Sequence, residues 1–256
     1  MLEKIQSIAR KAGKIILNYQ HAAIHQKEGH FNFVTDADVA VQDFLKKELL
    51  SLLPEALFFA EEQENEALTD APTFIVDPID GTNNFTRHRN HSIISIALMK
   101  DKRPVLAVLY QPFTDEMFTA EAGCGAFLNG QPIHVSTVPF ENAILELGTS
   151  PYDAELAKIT MKAASQFLLQ AGDIRRTGSA AADLCYIACG RGDIMFELKL
   201  RPWDVAAGSL LVKEAGGCFL SLGHETPYYD GPCGVMACNP LCEKDALRIL
   251  REAGAC

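Results

Sequence analysis

Twelve residues, Phe74-Ile75-Val76-Asp77-Pro78-Ile79-Asp80-Gly81-Thr82-Asn83-Asn84-Phe85, dictate more about this chain than any other stretch. Phe74 to Val76 is an unbroken apolar run, the pattern of a strand covered on both faces, so the fold must place layers on either side of a sheet. Two carboxylates follow at i and i+3. Pro78 stiffens the turn between them, Gly81 permits close backbone approach, and Thr82 can open a helix. Carboxylates on a rigid turn beside backbone N–H groups can hold a divalent cation and a phosphate together. A lone Asp-x-x-Asp would more simply cap a turn; the strand–turn–helix context favours the functional reading here.

Around this segment helix and strand alternate. Residues 1–25 read as an amphipathic helix, and Asp36 to Leu53 as a second, with Val39, Val41, Phe44, Leu45 and Leu49 near helical spacing. Phe58-Phe59 forms a short strand that stops at Ala60-Glu61-Glu62. Ile93–Met99, Val105–Tyr110, Met117–Ala120 and Ala126–Leu128 read as a meander with Asn129-Gly130 as a tight turn. Helices are expected over 153–171, 179–189 and Trp203–Ala215, ended by Gly172, Gly190 and Gly216-Gly217. Strands are expected at Ile194–Leu198, near 218–221 and near 234–238, with a final helix from about 240. No repeat or obvious linker interrupts residues 1–256, which read as one domain. A helix-pair and meander half covers about 1–138 and an α/β half about 139–256, with a soft boundary near 136–142. This order fits a layered α/β sandwich.

Charge narrows the function. Against 23 Lys and Arg stand 33 Asp and Glu, a formal charge of −10. That sign repels a nucleic-acid backbone, and an anionic ligand would need the field reversed locally, most simply by a bound cation. Hydrophobic residues at 48% supply a core and exclude disorder as the main state. No apolar run is long enough to span a membrane. The first residues, with Glu3, Lys4, Arg10, Lys11 and Lys14 between apolar positions, read as an amphipathic helix and not a secretory leader, so a cytoplasmic location and reduced thiols are expected. Cys185 and Cys189 share a helix face, and Cys233, Cys238 and Cys242 lie close in sequence, but without C-x-x-C spacing they read as buried small hydrophobes and not as a zinc site. Other phosphate motifs fail. Residue 79 is Ile where the haloacid-dehalogenase pattern needs Asp, no G-x-x-x-x-G-K-[ST] occurs, Leu128 breaks a dinucleotide-like glycine pattern, and Val41 replaces the obligatory EF-hand glycine after Asp36-Ala37-Asp38.

Two more carboxylate sites stand out. Alone, Glu61-Glu62 would be a solvated loop and Asp204 an N-cap. Their joint presence with the aspartate turn changes that reading. With these blocks in order, the sequence resembles the inositol monophosphatase family of magnesium-dependent, lithium-sensitive phosphatases. Asp77 to Phe85 matches the family's first signature, and Trp203-Asp204-Val205-Ala206-Ala207-Gly208 with Glu214-Ala215-Gly216-Gly217 the second. Glu61-Glu62 stands at the family's metal-binding glutamate, and Val34-Thr35-Asp36-Ala37-Asp38 at the segment whose last aspartate helps position water. Arg176-Thr177-Gly178-Ser179-Ala180 and Ala188 to Asp193 look like the bacterial branch. The resemblance covers nearly the whole chain and implies an αβαβα layered sandwich of the inositol monophosphatase and fructose-bisphosphatase type.

The resemblance also implies roles. Glu61, Asp77 and the Ile79 carbonyl would bind one magnesium; Asp77, Asp80 and Asp204 a second; Glu61 would reach a weaker third. Such an all-oxygen set suits Mg²⁺, with Mn²⁺ as a substitute. Thr82 would orient the attacking water with Asp38 behind it, and the Gly81 and Thr82 N–H groups would hold phosphate oxygens. Glu61, Ile79, Asp80 and Asp204 would also border the substrate, while Gly178, Ser179 and Ala180 would contact its ring. Glu197 would accept hydrogen bonds from ring hydroxyls, favouring a polyol. Ala60 and Asn83 depart from the commonest pattern without removing a ligand. Lys27 stands where the family has a lysine, with a solvated loop residue as the alternative. Lys199 and Arg201 could meet a second phosphate or simply face solvent. His88 and His91 read as loop surface. The expected activity is Mg²⁺-dependent hydrolysis of inositol monophosphate or a similar polyol or sugar phosphate. Fructose 1,6-bisphosphate and histidinol phosphate are alternative substrates; Asn83-Asn84 argues against the nucleotide branch. A binding role toward the transcription machinery, independent of catalysis, is the competing class. A homodimer is expected by the same resemblance, with neither membrane nor direct nucleic-acid partner.

Overall fold

The computed structural model describes residues 1–19, 24–26 and 33–255; Lys27 lies outside them. The chain opens with α1 (Leu2–Asn18), whose Ile5, Ile8, Ala9, Ala12 and Ile16 line one buried face. The expected 1–25 helix therefore stops early. Ile24–Gln26 is instead a strand, β1, paired antiparallel with β2 (Phe33–Thr35). Helix α2 (Asp36–Leu52) starts at a capping box: the Asp38 N–H donates to the Thr35 hydroxyl, and the Asp38 carboxylate accepts from the Thr35 N–H.

A seven-stranded sheet follows in the order β3-β4-β5-β6-β7-β8-β9. Its strands are β3 (Leu57–Ala60), β4 (Thr73–Asp80), β5 (Ile93–Lys100), β6 (Arg103–Gln111), β7 (Glu116–Glu121), β8 (Ala126–Leu128) and β9 (Gln131–Ile133). The β3–β4 pair is parallel and the others antiparallel. Between β4 and β5 lies the short helix α3 (Thr82–Thr86). The five-stranded second sheet has the order β11-β10-β12-β14-β13, built from β10 (Ile144–Leu147), β11 (Asp173–Arg175), β12 (Ile194–Leu200), β13 (Cys218–Ser221) and β14 (Cys233–Cys238). Its helices are α4 (Ala154–Gln170), α5 (Ala180–Ala188), α6 (Pro202–Glu214) and α7 (Glu243–Ala253). Strands β9, β10 and β11 were not foreseen; three or four residues are too few to show a period of two.

The helices sort into layers by what they bury. Helices α1 and α2 cover one face of the first sheet through Ile5, Val41, Leu45, Val76, Ile96 and Val108. Helices α5 and α6 fill the space between the sheets, packing Leu184 and Val205 with Ile75 and Ala107 on one side and Met195 and Val235 on the other. Helices α4 and α7 cover the outer face of the second sheet through Phe167, Phe196 and Ile249. The result is the αβαβα sandwich. The two central helices sit close because Gly208 has no side chain: a Cβ there would stand 2.4 Å from Leu184 Cδ1.

Candidate active site

The carboxylates converge at the end of β4. The strand runs through Asp80, further than its apolar stretch, and its register with β5 shifts between Asp77 and Asp80. In a regular strand i and i+3 point to opposite faces; the irregularity turns both aspartates toward one side. Asp77 accepts from the Ile79 N–H at 2.9 Å. Asp204, in the first turn of α6, accepts from the Arg201 N–H at 2.6 Å, and the Ser95 hydroxyl on β5 holds the Trp203 carbonyl at 3.2 Å. Carboxylate oxygens of Asp77, Asp80 and Asp204 thereby lie within 4.8 Å of one another. Glu61 follows β3, the parallel neighbour of β4, and its N–H donates to the Val76 carbonyl. Gln42 of α2 fixes this turn by bonding both the N–H and the carbonyl of Glu62.

Burial and crowding act together on these groups. Asp77 is raised well above the usual carboxylate range, first by burial, then by Glu61, Asp80, Asp204 and Asp38. Asp204 is also raised well above it, by burial and by Asp80, against the Arg201 N–H. Burial lifts Asp80 to about 6, although the Ser179 hydroxyl and the Ala181 and Gly81 N–H groups pull it down. No lysine or arginine pairs with Asp77, Asp80 or Asp204 among the described residues. Like charges at this spacing, all oxygen donors and without a protein counter-ion, fit a hard divalent cation.

Beside them stands a hydroxyl with a fixed environment. Thr82 Oγ1 lies 3.1 Å from the Ile79 carbonyl and 3.3 Å from Asp38 Oδ1. Asp38 is fully buried, and its other oxygen accepts from the Thr35 N–H at 2.7 Å and hydroxyl at 2.6 Å. Gly81 takes φ +90°, and a Cβ there would meet the His91 carbonyl at 3.1 Å, so glycine is required for both reasons.

The facing wall comes from the second sheet and α5. Ser179 caps α5, accepting from the Ala182 N–H, and donates to Asp80 at 2.6 Å; the Ala181 N–H also reaches Asp80, at 2.7 Å. Gly178 and Ala180 flank it. Glu197 on β12 accepts from the Ser150 N–H at 2.9 Å. Burial and Asp80 push it to about 7, against Ser150 and the Arg176 guanidinium. Asn84, 5% exposed, donates to the Thr177 carbonyl at 3.0 Å and so ties α3 to this loop.

The profile of the inositol monophosphatase family matches residues 1–255. The chain belongs to that family. It is 41% identical to inositol monophosphatase 3 of Solanum lycopersicum over 218 residues, covering 82% of this chain and 81% of that protein. It is 37% identical to the Nus factor SuhB of Escherichia coli K12, covering 98% and 96%. Among solved structures, the Thermotoga maritima IMPase TM1415 superposes with a TM-score of 0.90 at 29% identity, covering 98% of this chain and 97% of that one.

Within this inositol monophosphatase fold the side chains of the remaining basic candidates are engaged with other groups. Lys199 pairs with Asp153 at 3.5 Å, and the Arg201 guanidinium lies over the Trp203 ring at 5.9 Å. His88 is exposed. His91 is not loop surface as expected: it is half-buried, 3.3 Å from Gln111 and 5.8 Å from the Tyr186 ring, because β5, β6 and α5 close over it. Residues that sequence reading passed over include Asn84, Ser150, Tyr152 and Arg176. Asn84 and Arg176 fall inside quoted motif strings, which was the available signal; Ser150 and Tyr152 carried none.

Proposed function

We propose that this protein is a Mg²⁺-dependent phosphomonoesterase acting on inositol monophosphate or a similar polyol or sugar phosphate. The observation that carries the reading is the convergence of Asp77, Asp80 and Asp204 within 4.8 Å, with no lysine or arginine paired to them among the described residues. Glu61, Asp77, Asp80, Asp204 and the Ile79 carbonyl would hold two to three magnesium ions, with Mn²⁺ as a substitute. Bound there, the cations supply charge that offsets the phosphate and favours the ionised form of an attacking water. Asp38 accepts a hydrogen bond from the Thr82 hydroxyl, which leaves the Thr82 oxygen to accept from that water and aim it. Thr35, by donating two hydrogen bonds to the far oxygen of Asp38, keeps this aspartate oriented. Ser179 and Ala181 hold Asp80 in place. Gly81 keeps the backbone side-chain-free where the phosphate would approach. Glu197 accepts from hydroxyls of the leaving group, and Gly178, Ser179 and Ala180 border its ring. Attack is in line, without a covalent enzyme intermediate, and depends on position and electrostatics.

The test is phosphate release from inositol 1-phosphate, fructose 1,6-bisphosphate, histidinol phosphate and adenosine 3′,5′-bisphosphate, each with Mg²⁺, with EDTA and with Asp77→Asn. Mg²⁺-dependent release lost in the variant supports the site, and the best substrate names the branch. No release from any of them by a folded, Mg²⁺-binding protein overturns it.

A second reading rests on the relatives named Nus factor SuhB: a binding role toward the transcription machinery that uses the surface and not the reaction. Undiminished capture of RNA polymerase components by Asp80→Asn would separate the two roles; no capture by either form removes the second. We also propose a homodimer, which light scattering after gel filtration reads as twice the chain mass.

A further inference from the structure

Among the described residues, the wall formed by β12 and the loop before α5 carries a side chain of the opposite sign to the carboxylate cluster. Arg176 follows β11 and is exposed. Its Nε and Nη2 share a single acceptor, the Thr149 hydroxyl, at 3.3 and 3.1 Å. Its Nη1 lies across Gly178, 2.8 Å from where a Cβ would stand, and has no hydrogen-bond acceptor among the described residues. Among the described residues no carboxylate pairs with it, whereas Arg175 beside it is paired with Asp173. Arg176 nevertheless acts on the site: its charge is felt by Glu197 and by the Tyr152 phenol, which also senses Glu61 and Asp204. The loop before α4 joins them in space: its Thr149 holds Arg176, its Ser150 holds Glu197, and its Tyr152 is 64% exposed.

The geometry points to Arg176, with Tyr152 beside it, as the receptor for a second anionic group on the leaving group, so that the preferred substrate is a phosphorylated polyol or sugar that also carries a phosphate or carboxylate. This rests on the phosphomonoesterase reading above. A simple polyol offers only hydroxyls, which Glu197 and the loop backbone can serve. A guanidinium with an idle donor edge is matched instead to a planar or tetrahedral oxyanion that accepts two bonds. Gly178 keeps that edge open to the pocket. The two basic residues that the sequence suggested for this task are engaged elsewhere, Lys199 with Asp153 and Arg201 on Trp203.

Paired substrates decide it: fructose 1,6-bisphosphate against fructose 1-phosphate for a second phosphate, and 6-phosphogluconate against glucose 6-phosphate for a carboxylate. Wild type should favour the doubly anionic member of at least one pair in kcat/KM, and the pair that responds identifies the anion. In Arg176→Gln that preference should fall at least about fivefold, mainly through KM, as expected for one charge-assisted contact, and Arg176→Lys should restore part of it. Added salt should erode the preference. Equal loss on both members of each pair would mean that Arg176 only supports the loop or Glu197, and overturns the inference. So would a wild-type enzyme without any preference, while its hydrolysis of the partners that carry a single anionic group would leave the phosphomonoesterase reading standing. Failure on all four substrates and on inositol 1-phosphate would remove both.

Discussion

At the scale of single residues, the site is a balance between function and self-repulsion. Asp77 is 1% exposed and surrounded by four other carboxylates. On the function proposed above, Asp77→Asn removes a cation ligand; it also removes a buried like charge. Activity should fall more than the roughly 10–100-fold typical of losing a supporting outer contact, while the cation-free melting temperature stays level or rises. Phosphate-release kinetics and calorimetry in EDTA check the two halves. The pH dependence has a definite sign. Asp80 is lifted from 3.8 to about 6, so the folded state holds its proton where the unfolded state has released it. Its contribution to stability is present below pH 4 and is lost as pH rises through about 6, on the order of 3 kcal/mol. In EDTA, Asp80→Asn should therefore gain stability relative to wild type between pH 5 and pH 8. An unchanged difference across that range would show that Asp80 is already ionised at pH 5.

At the scale of elements, the chemistry depends on how helices begin and how closely they pack. Thr35 both caps α2 and holds Asp38. Thr35→Ala should cost about 1 kcal/mol in urea unfolding, as lost caps do. It should also lower kcat with little change in KM, since Asp38 loses its orientation without leaving the site; a stability loss alone would limit Thr35 to capping. In the middle layer, Gly208→Ala forces a methyl to within 2.4 Å of Leu184, against the helix whose cap, Ser179, holds Asp80. Overpacking of this kind costs about 1–3 kcal/mol, and the shift of α5 should weaken cation affinity, read by Mg²⁺ titration.

At the scale of the whole molecule, the site has contributors from both sheets. Asp77 and Asp80 come from the first, Glu197 from the second, and Asp204 and Ser179 from the helices between. The interior that joins them is shared, since Ile75 and Ala107 pack in one cluster with Met195 and Val235. We propose that both halves unfold as one unit, giving a single calorimetric transition; two transitions would place a real boundary near residues 136–142. Mg²⁺ at a hundred times its dissociation constant should add about 2.7 kcal/mol, an increase in melting temperature of about 5–10 °C for a chain of this size. At one fixed Mg²⁺ concentration the increase should be larger at pH 8 than at pH 5, where protons compete for the carboxylates.

Some of this was fixed by local chemistry alone. The buried run before Asp77, the glycine at residue 81 and most helix boundaries follow from residue type and period, because the interactions responsible lie within a few residues of one another. The donor types follow too: Asp77, Asp80 and the Glu61-Glu62 pair stand at the ends of apolar strands as hard oxygen groups, the kind that suits a divalent cation. What the sequence did not contain was distance. That Asp204 stands within 4.8 Å of Asp77 across more than a hundred residues, that Lys199 is occupied by Asp153 while Arg176 keeps an open edge, that His91 is covered, and that β9, β10 and β11 exist at all were decided by the packing of two sheets around α5 and α6. Such contacts join residues remote in sequence, and their energies come from burial and geometry that exist only once the layers have closed.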